Sequence, residues 1–319
     1  MDEKLTIEAF GASLAEEVKA RVEKITGKDT EVQYAPKIKT NVIGHGISIR
    51  TYDSCVAPSI SIDDAYQAYL DNEATIEEIA GKLTKVAIEN SNPSLKMPEL
   101  TVEEAKRHVT LNVICAERNQ ELLKTVPYYM IGDLAVVPRW QIDQNASFLV
   151  TKDIAKKIGL CDEEVLQMGM DRINQTVFRV DSMESVLAGM MGTDEVPDIG
   201  AKMYVLTNDS MVNGANVLLS KATLDKVYDE LGSDVVLLPS SRHECLALKI
   251  TDNMNPDDLR NMVREVNMTT VDPADFLSNN IYKYDGHKLT VVGESFSPEI
   301  SEPEMKSQSQ SHHMRMGGF

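Results

Sequence analysis

Residues 238–248 read LPSSRHECLAL and set two hydroxyls, an imidazole, a carboxylate and a thiol within a few positions of one another. These are the groups of nucleophilic catalysis, in which a hydroxyl or thiol attacks, a histidine takes its proton and a carboxylate orients the ring. On that reading His243, Glu244 and Cys245 are the catalytic candidates of a hydrolase or acyl-transfer enzyme. Backbone geometry argues the other way. Along a strand successive side chains point to opposite faces, so His243 and Cys245 share one side while Arg242 and Glu244 share the other. A working site would have to be assembled from separate elements around them. Pro239, Ser240 and Ser241 are turn formers, so the stretch is expected to be a turn and then a strand, joining DVVLL to CLALKI as a hairpin.

The other candidates have simpler structural readings. Gly44-His45-Gly46 lacks the GxGxxG or GxxxxGK[ST] spacing of a phosphate cradle and runs on into ISIRTY, so a bulge or strand entry is expected. The cysteines (Cys55, Cys115, Cys161, Cys245) and six histidines contain no CxxC or HxxxH pair, and no metal or other cofactor is expected. Cys115 and Cys161 read as small residues in or near the core, and His312 and His313 lack a scaffold that would fix coordination geometry. The acidic runs at 63–64, 162–164 and 256–258 fall at helix starts, where the dipole and free amides favour carboxylates. Sixteen methionines should mostly fill core gaps, with exposed ones suited to apolar docking.

The elements that must position these residues follow from periodicity. Apolar residues at Ile7, Phe10, Leu14, Val18, Val22 and Ile25 mark a helix ended by Gly27, and TEVQYAP and NVIGHGISIRTY read as a hairpin with KIKT between them. Ser61 with Asp64, Thr75 with Glu78 and Thr101 with Glu104 have capping-box spacing, the last opening a helix expected to run towards Leu123. VPYYMIGDLAVVPRWQI and ASFLVT predict a meander, with helices after Thr151, from Asp162 and near Ser182. KMYVLTND and GANVLLS read as a second hairpin, KATLDKVYDELG as a helix stopped at Gly232, and Asn255-Pro256 as the start of another helix. Asp285-Gly286 predicts a final tight turn within IYKYDGHKLTVV.

This ordering, without strict βαβ alternation, predicts an α+β protein with mainly antiparallel sheets and packed helices. Two prolines in NSNPSLKMPEL suggest a boundary, giving an N-terminal helix-hairpin-helices part over 1–96 and a larger α+β part over 97–293. Residues 294–319, rich in Ser, Glu, Pro and Gln, are expected to form a flexible tail.

A net charge of −18, from 32 Lys and Arg against 50 Asp and Glu, argues against nucleic acid and anionic lipid as partners. No apolar run approaches the ~20 residues of a membrane span, and an acidic, polar N-terminus does not read as a secretory signal. Widely spaced cysteines point to a reducing compartment, so a cytoplasmic location is expected.

HGISIRTYDSCVAPSISIDDAYQAYLDNEATIEEIA, KTVPYYMIGDLAVVP, MYVLTNDSMVNGANVLL, DVVLLPSSRHECLALK and EVNMTTVDPADFLSNNIYKYD, in this order, resemble an uncharacterised family of gut Clostridia and related Firmicutes. That family is itself distantly similar to the YtpQ-like proteins of bacilli. The resemblance spans roughly residues 5–290, implies a cytoplasmic bacterial protein, and brings no catalytic residues with it. The function stays unknown on the sequence, with a non-catalytic role through protein contacts as the expectation and oligomeric state open.

Overall fold

A computed structural model of the chain describes residues 4–51, 59–89, 98–143, 146–192, 202–249 and 255–292. The tail expected over 294–319, Cys55, His312 and His313 lie outside the described residues. The architecture is α+β, and the described residues form three antiparallel sheets with helices packed on them.

The first sheet pairs Thr30–Lys39 with Val42–Thr51 and then Ser59–Ser61. Its turn is shorter than the sequence suggests. Lys37, Ile38 and Lys39 stay in the strand, and Asn41 takes the left-handed conformation (φ 66) that tightens the reversal to Thr40-Asn41. The helix Ile7–Thr26 lays Phe10, Leu14, Val18 and Val22 into the core of this sheet, together with Ile47, Ile49, Ile62 and Ile79. Thr6 caps it at the start, and Gly27 (φ 68) ends it.

A second sheet orders Val109–Cys115, Leu134–Gln141 and Tyr129–Ile131, with Ser147–Leu149 also pairing to the central strand. The helix that Thr101 caps runs only over Val102–His108. The chain then becomes a strand rather than continuing towards Leu123, because VTLNVIC is rich in β-branched residues and buried on nearly every position.

The third sheet has six strands, in the order Leu289–Val291, Tyr282–Tyr284, Val235–Ser241, Glu244–Lys249, Met203–Thr207, Arg179–Ser182. Gly214–Leu219, expected as the second arm of a hairpin, is a fully buried 3-10 turn. Asn216 holds it there by accepting from the Val113 N–H (2.9 Å) and donating to Asn112 (3.1 Å). The first of these satisfies the N–H of Val113 on an edge strand, a group that a further strand would have satisfied by pairing.

One core joins the second and third sheets. Leu111, Val113, Leu134 and Val136 meet Leu206, Leu237, Cys245 and Tyr282, with Leu224, Val227 and Leu231 from the helix Lys221–Leu231. The VVLL run is explained by burial on both faces: Val235 and Leu237 enter this core, while Val236 and Leu238 meet Val263 of the helix Pro256–Thr269 on the far side.

Candidate functional site

Residues 238–248 form the expected hairpin, with the turn displaced. Pro239, Ser240 and Ser241 belong to the first strand, Arg242 and His243 make the turn, and Ser241 faces Glu244 across it. The register shifts between Leu238 and Ser241. Pro239 has no N–H for the ladder, and a bulge is where a strand tolerates that loss. The carbonyls of Pro239 and Ser240 accept instead from the N–H groups of Ser278 (3.1 Å) and Leu277 (3.0 Å) in the loop after the helix Pro256–Thr269.

His243 is therefore a turn residue aimed at that loop. Its Nε2 lies 3.0 Å from Asp275 Oδ1, and its Nδ1 accepts from the Asn213 N–H at 3.4 Å. Arg242 Nε lies 2.8 Å from the same Asp275 oxygen, while the Arg242 main chain donates to the Asp275 carbonyl (2.9 Å). Arg242 Nε is also 3.4 Å from His243 Nε2, but the shorter contact to the carboxylate takes the proton. With Nε2 donating and Nδ1 accepting, both ring nitrogens are spent on structural bonds. The His243 carbonyl accepts from Thr207 Oγ1 (2.8 Å), and its N–H donates to Ser241 Oγ (3.1 Å). A Cβ on Gly214 would lie 2.2 Å from that carbonyl oxygen, so only glycine fits there.

Cys245 points the other way, fully buried in the core between the two sheets. Burial pushes its thiol up well beyond the usual range, a backbone hydrogen bond from Leu238 offsets this in part, and the Glu244 carboxylate pushes it further. Glu244 is half-buried beside the turn. Among the described residues no hydrogen bond or ion pair joins His243, Glu244 and Cys245 to one another. Cys115 is likewise buried, whereas Cys161, expected near the core, is exposed at the start of the helix Asp162–Gln175.

Asp275 and Asn213 are the residues that sequence reasoning missed. Asp275 sits in VDPADF, whose turn formers announce a loop, but nothing local ties it to a histidine 32 positions earlier. The loop 208–213 has a signal of its own. Met211 (φ 54) and Asn213 (φ 55) are both left-handed, and Asn208 fixes the loop by accepting from Ser210 Oγ and the Val212 N–H and donating to the Val212 carbonyl. Met211 and Val212 stand 58% and 50% exposed at its tip.

A second histidine and aspartate meet in the first sheet. Gly44-His45-Gly46 lies inside the strand Val42–Thr51 with uninterrupted register, not at a bulge or strand entry. His45 Nδ1 lies 2.9 Å from Asp63 Oδ1, and Asp63 also accepts the His45 N–H (3.1 Å) and the Ser61 hydroxyl (3.0 Å). Ser61 thus serves Asp63 rather than capping a helix through Asp64. Burial works to raise the Asp63 carboxyl, yet the hydrogen bonds from the His45 ring, the His45 N–H and Ser61 hold it below the usual carboxylate range. The ring stacks on Tyr34, 6.1 Å between centroids. Among the described residues His45 Nε2 has no hydrogen-bond partner, and no group of three His, Cys, Asp or Glu could hold a metal ion.

The Family of unknown function (DUF5688) matches residues 8–286, and the chain belongs to that family. No curated protein and no solved structure matches it.

Proposed function

We propose that this is a non-catalytic bacterial protein of the cytoplasm that works through contacts with another protein, at the surface formed by the loop 208–213 and the neighbouring turn Arg242–His243. One observation carries the reading. Met211, a non-glycine residue in left-handed conformation, is fixed there by the Asn208 bonds and presents its side chain, with that of Val212, to solvent. Strain of this kind persists only where surrounding bonds enforce it, and it collects at sites of recognition. Exposed methionine and valine give this surface an apolar centre, as a protein-binding patch has.

The resemblance to proteins of gut Clostridia and other Firmicutes, and more distantly to YtpQ-like proteins of bacilli, supports a bacterial source. A net charge of −18 supports protein rather than nucleic acid or lipid headgroups as partner. Among the described residues no helix is long and apolar enough to cross a membrane. The alternative, a hydrolase or acyl-transfer enzyme around His243 and Cys245, needs a thiol withdrawn from the core and a ring nitrogen released from its bonds. An enzyme reading is better served by His45, whose Nε2 has no partner among the described residues.

The test is affinity purification from the native host with the wild type and Met211→Ser/Val212→Ser side by side. A protein retained by the first and lost by the second is expected. Identical recoveries from both would remove the assignment of this surface.

A further inference from the structure

We infer that residues 4–89 form a unit held on the rest of the molecule by a polar latch at Asn41, and that breaking the latch separates the two without unfolding either. The inference does not depend on the surface proposed above. Among the described residues no apolar core cluster spans the junction. The core of the first sheet draws its residues from Phe10 to Ala87, and every other core cluster begins at Ala105 or later.

Among the described residues, hydrogen bonds cross the junction and converge on the tip of the first hairpin. The Asn41 N–H donates to Asn119 Oδ1 (2.8 Å), and Asn119 Nδ2 donates back to Asn41 Oδ1 (2.7 Å). Asn41 Nδ2 donates to the carbonyls of Ala274 (3.1 Å) and Phe276. The Asn41 side chain thereby places both its protons and one oxygen lone pair on the partner surface. Asn119 is buried and also donates to the Cys115 carbonyl, so the socket is preformed by the second sheet. On its other wall, Arg118 lies 3.8 Å over the Phe276 ring and donates to the Pro273 carbonyl (2.9 Å).

A contact made this way is reversible by construction. Separating apolar surfaces would expose them to water at a cost proportional to area, whereas amide hydrogen bonds exchange for bonds to water with little net change. Small polar interfaces between parts of one chain accordingly allow relative motion. The socket also borrows the loop that carries Asp275, so the latch shares its frame with the Arg242 and His243 turn.

The experiment is a distance measurement between spin labels on Glu16→Cys and the exposed native Cys161, in the full chain carrying Cys55→Ser. Asn41→Gly keeps the left-handed backbone and deletes the plug; Asn119→Ala deletes the socket if the first variant folds poorly. A narrow distribution is expected with Asn41 intact. Either variant should broaden it and shift it to longer distance, while circular dichroism and the melting of both parts stay close to the parent. An unchanged narrow distribution in a folded variant would overturn the latch. Loss of folding in both variants would overturn it too, since it would make Asn41 and Asn119 part of one indivisible core.

Discussion

Among the described residues two histidine–aspartate pairs are formed, one in each region, and they differ in what is left over. In the first sheet Asp63 takes the proton of His45 Nδ1, and Nε2 has no partner among the described residues. At the turn of the six-stranded sheet Asp275 takes Nε2 of His243, and the remaining nitrogen is occupied by the Asn213 N–H. The residue types are identical and the distances are 2.9 and 3.0 Å. Chemistry is decided by the third partner: a ring with one free nitrogen keeps a lone pair to offer, and a ring with none serves as a bracket between three segments of chain. The richer motif in sequence, SSRHEC, is the spent one.

The largest effect that sharpens this contrast comes from a glycine beside each pair. A methyl group on Gly214 would meet the His243 carbonyl and Thr207 Oγ1, both at 2.2 Å, within a fully buried turn. The backbone must move, and Gly214→Ala is expected to cost about 3 kcal/mol, the upper end of ordinary overpacking. On Gly44 the obstacle is Asp63 Oδ2 at 2.6 Å, the end of a side chain that can swing aside. Gly44→Ala should cost about 1 kcal/mol or less by the same reasoning. Urea unfolding of both variants checks the order, and a larger loss for Gly44→Ala would reverse the assignment of which pair is the bracket.

Deleting the carboxylates comes next. Asp275 binds both Arg242 and His243, and its removal leaves two donors unpaired at a partly buried site, so Asp275→Ala is expected to cost about 1–2 kcal/mol. Cys245→Ala should fall in a similar range, about 1–2 kcal/mol, as the loss of one buried sulfur from a core. Asp63, with a more exposed side chain, should lose less than about 1 kcal/mol on replacement by Ala. Its contribution has a pH signature. The folded pKa lies below the ordinary carboxylate value, so the unfolded chain takes up the proton first as the pH falls. The stabilisation is fully present above the unfolded value of about 3.9 and disappears as the pH drops through the folded one. The stability gap between wild type and Asp63→Asn should close at the acid end of a titration and stay constant near neutrality.

Much of the fold could be read from periodicity and caps. Thr75 and Glu78 make the reciprocal capping bonds their spacing announces, Asn255 with Pro256 opens its helix, and the meander from Tyr129 to Leu149 forms as its turn residues suggest. The errors came where two patterns compete over a short stretch. Thr101 and Glu104 do open a helix, but the β-branched run from Val109 belongs to a sheet whose other strands lie elsewhere in the chain. GANVLL has strand composition and is instead bent around Asn216, whose partners Asn112 and Val113 are about a hundred residues away. The site was legible as a hairpin and illegible as a network, because Asp275, Asn213 and Thr207 reach His243 only through the tertiary fold. Nothing in the local sequence of Asp63 or Ser61 signals His45 either.

The smallest effect, invisible to stability, is the most direct measure of the two pairs. Diethyl pyrocarbonate acylates an unprotonated imidazole nitrogen that solvent can reach. His45 is 30% and His243 28% exposed in the side chain, so access alone predicts nearly equal rates. The bonding predicts otherwise. A proton fixed on His45 Nδ1 by Asp63 leaves the Nε2 lone pair available, whereas His243 holds its proton on Nε2 and commits the Nδ1 lone pair to Asn213. Peptide mass spectrometry of the folded protein should therefore find His45 modified first. Asp275→Ala should then quicken His243 while leaving His45 unchanged, since it frees one ring from its bracket and touches nothing near the other. Equal rates in the wild type would show that the Asn213 bond, long at 3.4 Å, does not hold the lone pair, and the two pairs would then be chemically alike.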